Sequence, residues 1–105
     1  MEKPNIDYIN KLSRDNVAIK QKFIGILKLE LPMEIAAYYS SFQLKKWKQT
    51  AECIHKLKNK IAILGLENSY NQADEYEKNV RNNRIDLQEA FEKTLNIMQG
   101  YVNSL

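Results

Sequence analysis

Apolar residues recur along most of this chain at intervals of three and four, the spacing of an amphipathic helix. No stretch sustains the two-residue alternation of a half-buried strand, so a sheet is not expected. A short first helix is predicted from about Pro4 to Leu12, with Pro4 tolerated in its first turn. Ser13 or Asp15 is placed to cap a long second helix reaching about Tyr39. At about 100° per residue, Val17, Ile24, Leu27, Leu31, Ile35 and Tyr38 fall on one stripe of it. Pro32 lies inside that helix and predicts a kink or a break.

Ser40–Gln43 reads as a connection. A third helix is expected from about Leu44 to Leu64, with Trp47, Ile54, Leu57, Ile61 and Leu64 turned inward. Gly65 is positioned to end it in a left-handed conformation. The fourth helix, from about Glu67 to Arg81, carries Tyr70, Ala73, Tyr76 and Val80 on its apolar side. Asn82, Asn83 and Arg84 form a turn. Asp86 and Glu89 then have capping-box spacing for a last helix with Leu87, Phe91, Leu95, Met98 and Val102 facing the core. These elements predict an all-α fold: an antiparallel four-helix bundle, up-down-up-down, with an additional short N-terminal helix.

Composition narrows the class. With 105 residues and 44% apolar content, residues 1–105 read as one globular domain rather than a disordered chain. No apolar run is long enough to span a bilayer, and the polar start Met1-Glu2-Lys3-Pro4 lacks the apolar core of a secretion signal. The lone Cys53 can form no internal disulfide, which suits a reducing compartment. The expected location is therefore the cytoplasm, away from the membrane. Lys45, Lys46, Lys48, Lys56, Lys58 and Lys60 crowd one helix, but Glu52 interrupts them and no arginine joins them. With a net charge of only +3, nucleic acid is not the expected partner. Cys53 and His55 point to different sides of their helix and are too few to hold zinc.

His55 is the only histidine. It projects roughly 140° from the apolar stripe of the third helix, so it is expected on the exposed side. Lys58, three residues on, is its neighbour on the helix surface. On the fourth helix Glu77 lies about 40° from the centre of the apolar stripe. It reads either as a rim glutamate whose stem bends to water, or as the acceptor for an N–H on the neighbouring helix. Ile26, Leu29 and Met33 form a second apolar stripe on the second helix. That stripe is either covered by Ile6, Ile9 and Leu12 of the first helix or left exposed to dock a partner.

The run Ile54-His55-Lys56-Leu57-Lys58-Asn59-Lys60-Ile61-Ala62-Ile63-Leu64-Gly65 resembles the signature of histidine phosphotransfer (HPt) domains. That family has an apolar residue two positions after its histidine, a lysine three after and a glycine ten after, here Leu57, Lys58 and Gly65. It also tends to place Glu or Gln 22 positions on, which falls on Glu77. The helix order, with Leu31-Pro32 inside the long helix, extends the resemblance over nearly the whole chain. Asn59 departs from it, since the family usually has a small residue there, and Asn59 is expected to narrow access to His55.

The resemblance implies a phosphorelay intermediate of two-component signalling. His55 would take a phosphoryl group from a receiver-domain aspartate and pass it to another receiver, with Glu77 orienting the imidazole and Lys58 stabilising the charge. No cofactor of its own is implied, because Mg²⁺ would come with the receiver; there is no Gly-rich phosphate loop, so ATP binding and autokinase activity are not expected. The chain would be a carrier rather than an enzyme, with response-regulator receivers and a hybrid histidine kinase as partners, and a monomer. The rival expectation is a non-transferring scaffold or regulator of the same fold that binds a receiver or kinase.

Overall fold

A computed structural model describes residues 2–105; Met1, part of the start read for a secretion signal, lies outside the described residues. The protein is all-helical, with α1 (Asp7–Ser13), α2 (Val17–Gln43), α3 (Trp47–Ile63), α4 (Glu67–Arg81) and α5 (Gln88–Asn103). α2 packs against α3, α3 against α4, α4 against α5, and α5 returns to α2, while α1 lies on α2. The core is built from the predicted stripes: Leu27, Leu31 and Tyr38 of α2; Ile54, Leu57 and Ile61 of α3; Ala73, Tyr76 and Val80 of α4; Phe91, Leu95, Met98 and Val102 of α5. Tyr38 sits at the meeting point of three helices, edge-on to Tyr76 and Phe91. Its hydroxyl lies 2.7 Å from that of Tyr76 and donates to Glu92 Oε2 at 3.0 Å, so this buried polar group is satisfied.

Three connections close on the same device. The chain after α3 turns through Gly65 at φ +76°; Gly65 N–H donates to Ala62 and Leu66 N–H to Ile61, the paired bonds of a Schellman cap. Lys45 (φ 54°) after α2 and Asn83 (φ 62°) after α4 make the same two bonds with non-glycine residues in the left-handed region. At α4 the cap at the other end is borrowed. Leu66 offers no capping side chain, and Glu2 instead accepts from the backbone N–H groups of Asn68 (2.7 Å) and Ser69 (3.1 Å). Asn5 N–H bonds the Leu64 carbonyl, tying the N-terminal segment across the α3–α4 corner.

The structure corrects several expected boundaries. α1 starts at Asp7, so Pro4 precedes it. Asn16 caps α2, its side chain accepting from Ile19 N–H at 3.1 Å; Ser13 and Asp15 do not. α2 is assigned helical without interruption through Pro32 and includes Ser40–Gln43, leaving only Leu44–Lys46 as the connection. Ser41 lies buried within the helix, its hydroxyl donating to the Tyr38 carbonyl and standing 3.0 Å from Thr50 Oγ1. No capping box forms before α5. Asp86 pairs with Arg84, and Leu87 occupies the cap position without a side-chain bond. Val17 is exposed although its direction is inward, because residues 17–23 contain no buried side chain. The molecule measures 44 × 25 × 19 Å.

Candidate functional site

α3 and α4 run side by side and bring the only histidine against a charged cluster that spans their seam. α3 turns Ile54, Leu57 and Ile61 into the core, which leaves His55 on the outer surface with its side chain 62% exposed. On α4 the sequence Tyr70, Asp74, Glu77, Arg81 follows the spacing of one helix face. Ala73, Tyr76 and Val80 bury the adjacent face, so the stem of Glu77 is drawn inward until its side chain is only 10% exposed.

Glu77 is the hub. Its Oε1 lies 3.3 Å from His55 Nδ1 and 3.0 Å from Lys58 Nζ, while Oε2 accepts from Arg81 Nη2 at 3.0 Å. Lys58 also donates to Asp74 Oδ1 at 2.7 Å, and its ammonium stands 5.4 Å from the centre of the Tyr70 ring. Asp74 Oδ2 in turn meets Lys78 at 3.2 Å. Three cations thus face two carboxylates across the seam, and Glu52 stands one turn before His55 on α3.

These contacts fix the charge states. Burial raises the Glu77 carboxyl, but hydrogen bonds from Lys58, Arg81 and His55 outweigh it and hold the group below the usual glutamate range. Asp74 is held down by hydrogen bonds from Lys58 and Lys78. Burial pulls the Lys58 ammonium down, yet hydrogen bonds to Asp74 and Glu77 win and raise it. An ionised carboxylate can only accept, so the ring nitrogen facing Glu77 carries the proton. The neutral imidazole then has its lone pair on Nε2, away from Glu77.

The expected residues are distributed unevenly. His55, Lys58 and Glu77 are brought together. Lys58 does not stand free beside His55: its side chain is 8% exposed and committed to two carboxylates. Asn59, one turn after His55, is exposed. Gly65 is about 15 Å along the helix from His55 and belongs to the end of α3, outside the cluster. There a Cβ would come within 2.6 Å of the Asn5 side chain. Of the second stripe, Ile26 is flanked by α1 in a cleft with Tyr8, Ile9 and Leu12, whereas Leu29 and Met33 remain 66% and 65% exposed. Cover by α1 is therefore partial at Ile26, which stays 41% exposed, and absent at Leu29 and Met33. Asp74 and Arg81 were not singled out from the sequence; their spacing of three and four residues from Glu77 was the available signal.

No group of three or more His, Cys, Asp or Glu side chains that could hold a metal ion occurs among the described residues. None of the described helices is long and apolar enough to cross a membrane. Compared with protein families, with curated proteins and with solved structures, the chain finds no match.

Proposed function

We propose that this protein is a phosphocarrier of the histidine phosphotransfer type, working between receiver domains in the cytoplasm. The observation that carries the reading is the exposed His55 whose Nδ1 faces a buried, ionised Glu77 on the next helix, 22 residues on. In this reading the closed circuit of α2 to α5 is an antiparallel up-down-up-down bundle, with α1 as the extra helix and the chain as one domain.

The chemistry follows from the tautomer. The Nε2 lone pair attacks the phosphorus of an aspartyl phosphate on the receiver. The bond from phosphorus to the aspartate oxygen breaks, and its electron pair leaves on the carboxylate. The new N–P bond turns the ring into a cation that keeps its proton on Nδ1, and the Glu77 carboxylate offsets that charge. The cations Lys58, Lys78 and Arg81 favour the equatorial oxygens of the transferring group. Mg²⁺ and the aspartate come with the receiver, and the second receiver reverses the step. Leu29 and Met33, with Ile26 at their edge, are the proposed receiver-docking patch.

The test is transfer from a labelled, phosphorylated receiver to the wild type and to His55→Gln. Acid-labile, base-stable label on the wild type and none on the variant is expected. A folded wild type that takes no label from a panel of receivers would overturn the reading. A second reading, a scaffold that binds a receiver or kinase without transfer, draws on Lys58 being held by Asp74 and Glu77 and on exposed Asn59 beside His55. In that case Asn59→Gly does not restore label.

A further inference from the structure

The lysines that crowd one stretch of the sequence are divided by the fold. Lys58 and Lys60 are drawn into ion pairs on the flanks of α3, and Lys56 is exposed along its side. Lys45, Lys46 and Lys48 gather at the corner between α2 and α3. All three are exposed, and none enters an ion pair among the described residues. No acid lies between Phe42 and Ala51, and Glu52 comes one turn after Lys48. The fold itself does not call for these cations. The first turn of α3 has no acidic residue to pair with them, and positive charge at the start of a helix opposes its dipole.

The same corner holds apolar side chains outward. Leu44 is 63% exposed, although the turn around it is fixed by the backbone bonds of Lys45 and Lys46 and by Trp47 lying edge-on to Phe42. Trp47, the only tryptophan, is itself partly exposed. The α4–α5 corner sits at the same end of the molecule. Tyr38, six residues before Leu44, meets Phe91, six residues after Ile85, with ring centres 5.1 Å apart. Ile85 is exposed there, and Arg84 beside it is already paired with Asp86. That corner therefore adds an aliphatic tip and little net charge.

We propose that this end of the molecule attaches to the surface of an anionic lipid bilayer. Lys45, Lys46 and Lys48 meet the negative headgroups, while Leu44 and Trp47 enter the headgroup region, with Ile85 at the edge of the contact. Each part suits that surface: lysines gain from its negative potential, tryptophan settles at headgroup level, and the leucine leaves water. Nucleic-acid recognition relies on arginine forks and groups that read base edges, whereas this end offers lysines around aliphatic tips. The protein lies on the bilayer and does not cross it, and a contact of this size is weak and reversible. His55 is nine residues along α3 from Lys46, about 13 Å from the corner, and stays clear for a partner. The contact does not depend on the chemistry of His55.

The experiment is flotation of the full chain with vesicles of phosphatidylcholine alone and with about 30% phosphatidylserine, at low and at physiological salt. The wild type, Lys46→Gln/Lys48→Gln and Leu44→Ser are compared, with circular dichroism confirming each fold. Wild type is expected on the anionic vesicles alone, less at higher salt, and bromine on the lipid chains should quench Trp47. Neutralising two lysines should weaken binding about thirtyfold, and Leu44→Ser about tenfold. A wild type that binds neither vesicle at about 5 mM lipid, or both equally, overturns the inference. So does binding that the double variant keeps, or that leaves Trp47 unquenched. A short DNA duplex that displaces the vesicles, and that Leu44→Ser binds as well as the wild type, assigns the lysines to nucleic acid and overturns it as well.

Discussion

Glu77→Gln removes one negative charge from the α3–α4 seam while keeping the shape of the side chain and an oxygen that can accept. The Lys58–Glu77 contact at 3.0 Å joins two groups that are each about nine-tenths buried. A hydrogen bond to a charged group in such a setting contributes about 1.5–3 kcal/mol. Asp74 keeps its own hold on Lys58 at 2.7 Å, and the amide oxygen still accepts, which halves the loss to roughly 1 kcal/mol. The Arg81 contact is a half-exposed i,i+4 pair and adds about 0.5 kcal/mol. The longer contact to exposed His55 adds less. The sum is about 1.5 kcal/mol, a fall in Tm of about 6–12 °C for a domain of this size.

Urea unfolding followed by circular dichroism measures this, with an unchanged slope showing that stability alone has moved. A double-mutant cycle with Lys58→Met isolates the pair, and a coupling of at least about 0.5 kcal/mol is expected. Glu77→Gln costing less than about 0.5 kcal/mol, or additive single effects, would refute the claim that this cluster holds the seam. Phosphoryl transfer measured on the same variant then separates orientation of His55 from stability.

Two further predictions concern pH and the helix ends. Glu77 and Asp74 titrate lower in the folded state, so their contribution is complete above the ordinary carboxylate range of about 4 and is lost as pH falls through their depressed values. Burial pushes the Tyr76 hydroxyl up to about 12 and Tyr38 higher still, so their contribution is lost as pH rises beyond about 10. Unfolding free energy should therefore fall as pH drops below about 4 and again as it rises beyond about 10. At the helix ends, Lys45→Gly should stabilise by about 0.5–1 kcal/mol, since φ 54° strains a side-chain-bearing residue. Gly65→Ala should destabilise by about 1–2 kcal/mol at φ +76° and displace the Asn5 side chain. Opposite shifts in the urea midpoint check both.

Where packing repeats, the pattern was legible. Tyr70, Ala73, Tyr76 and Val80 follow the helical period, and α4 runs over the predicted residues Glu67–Arg81. Failures fell where a long-range partner decides. Ser40–Gln43 looked like a break because serine favours turns, but Ser41 is buried and Phe42 packs on Tyr38 and Trp47, and the helix runs on. Val17 followed the stripe of α2, yet its neighbours from α1 there, Asn10 and Ser13, are polar and leave it exposed. Asp86 had capping spacing, but Arg84 claims its carboxylate. At the site, wheel geometry put His55 on the exposed side and Glu77 near the seam, but left Glu77 between a rim and an acceptor role; its pairing with His55 came from the resemblance to HPt domains. The burial of Lys58 was not legible, because it depends on Asp74 lying across the seam.

Glu2 closes the first turn of α4 from 66 and 67 residues away. The start of that helix therefore behaves like a joint fastened from outside, completed only when the first segment arrives. Contacts at that separation raise the mean separation of contacting residues, which slows folding in proteins of this size. The helix that carries Glu77 is thus held at its first turn by the start of the chain, and loss of the Glu2 carboxylate reaches it without touching the core.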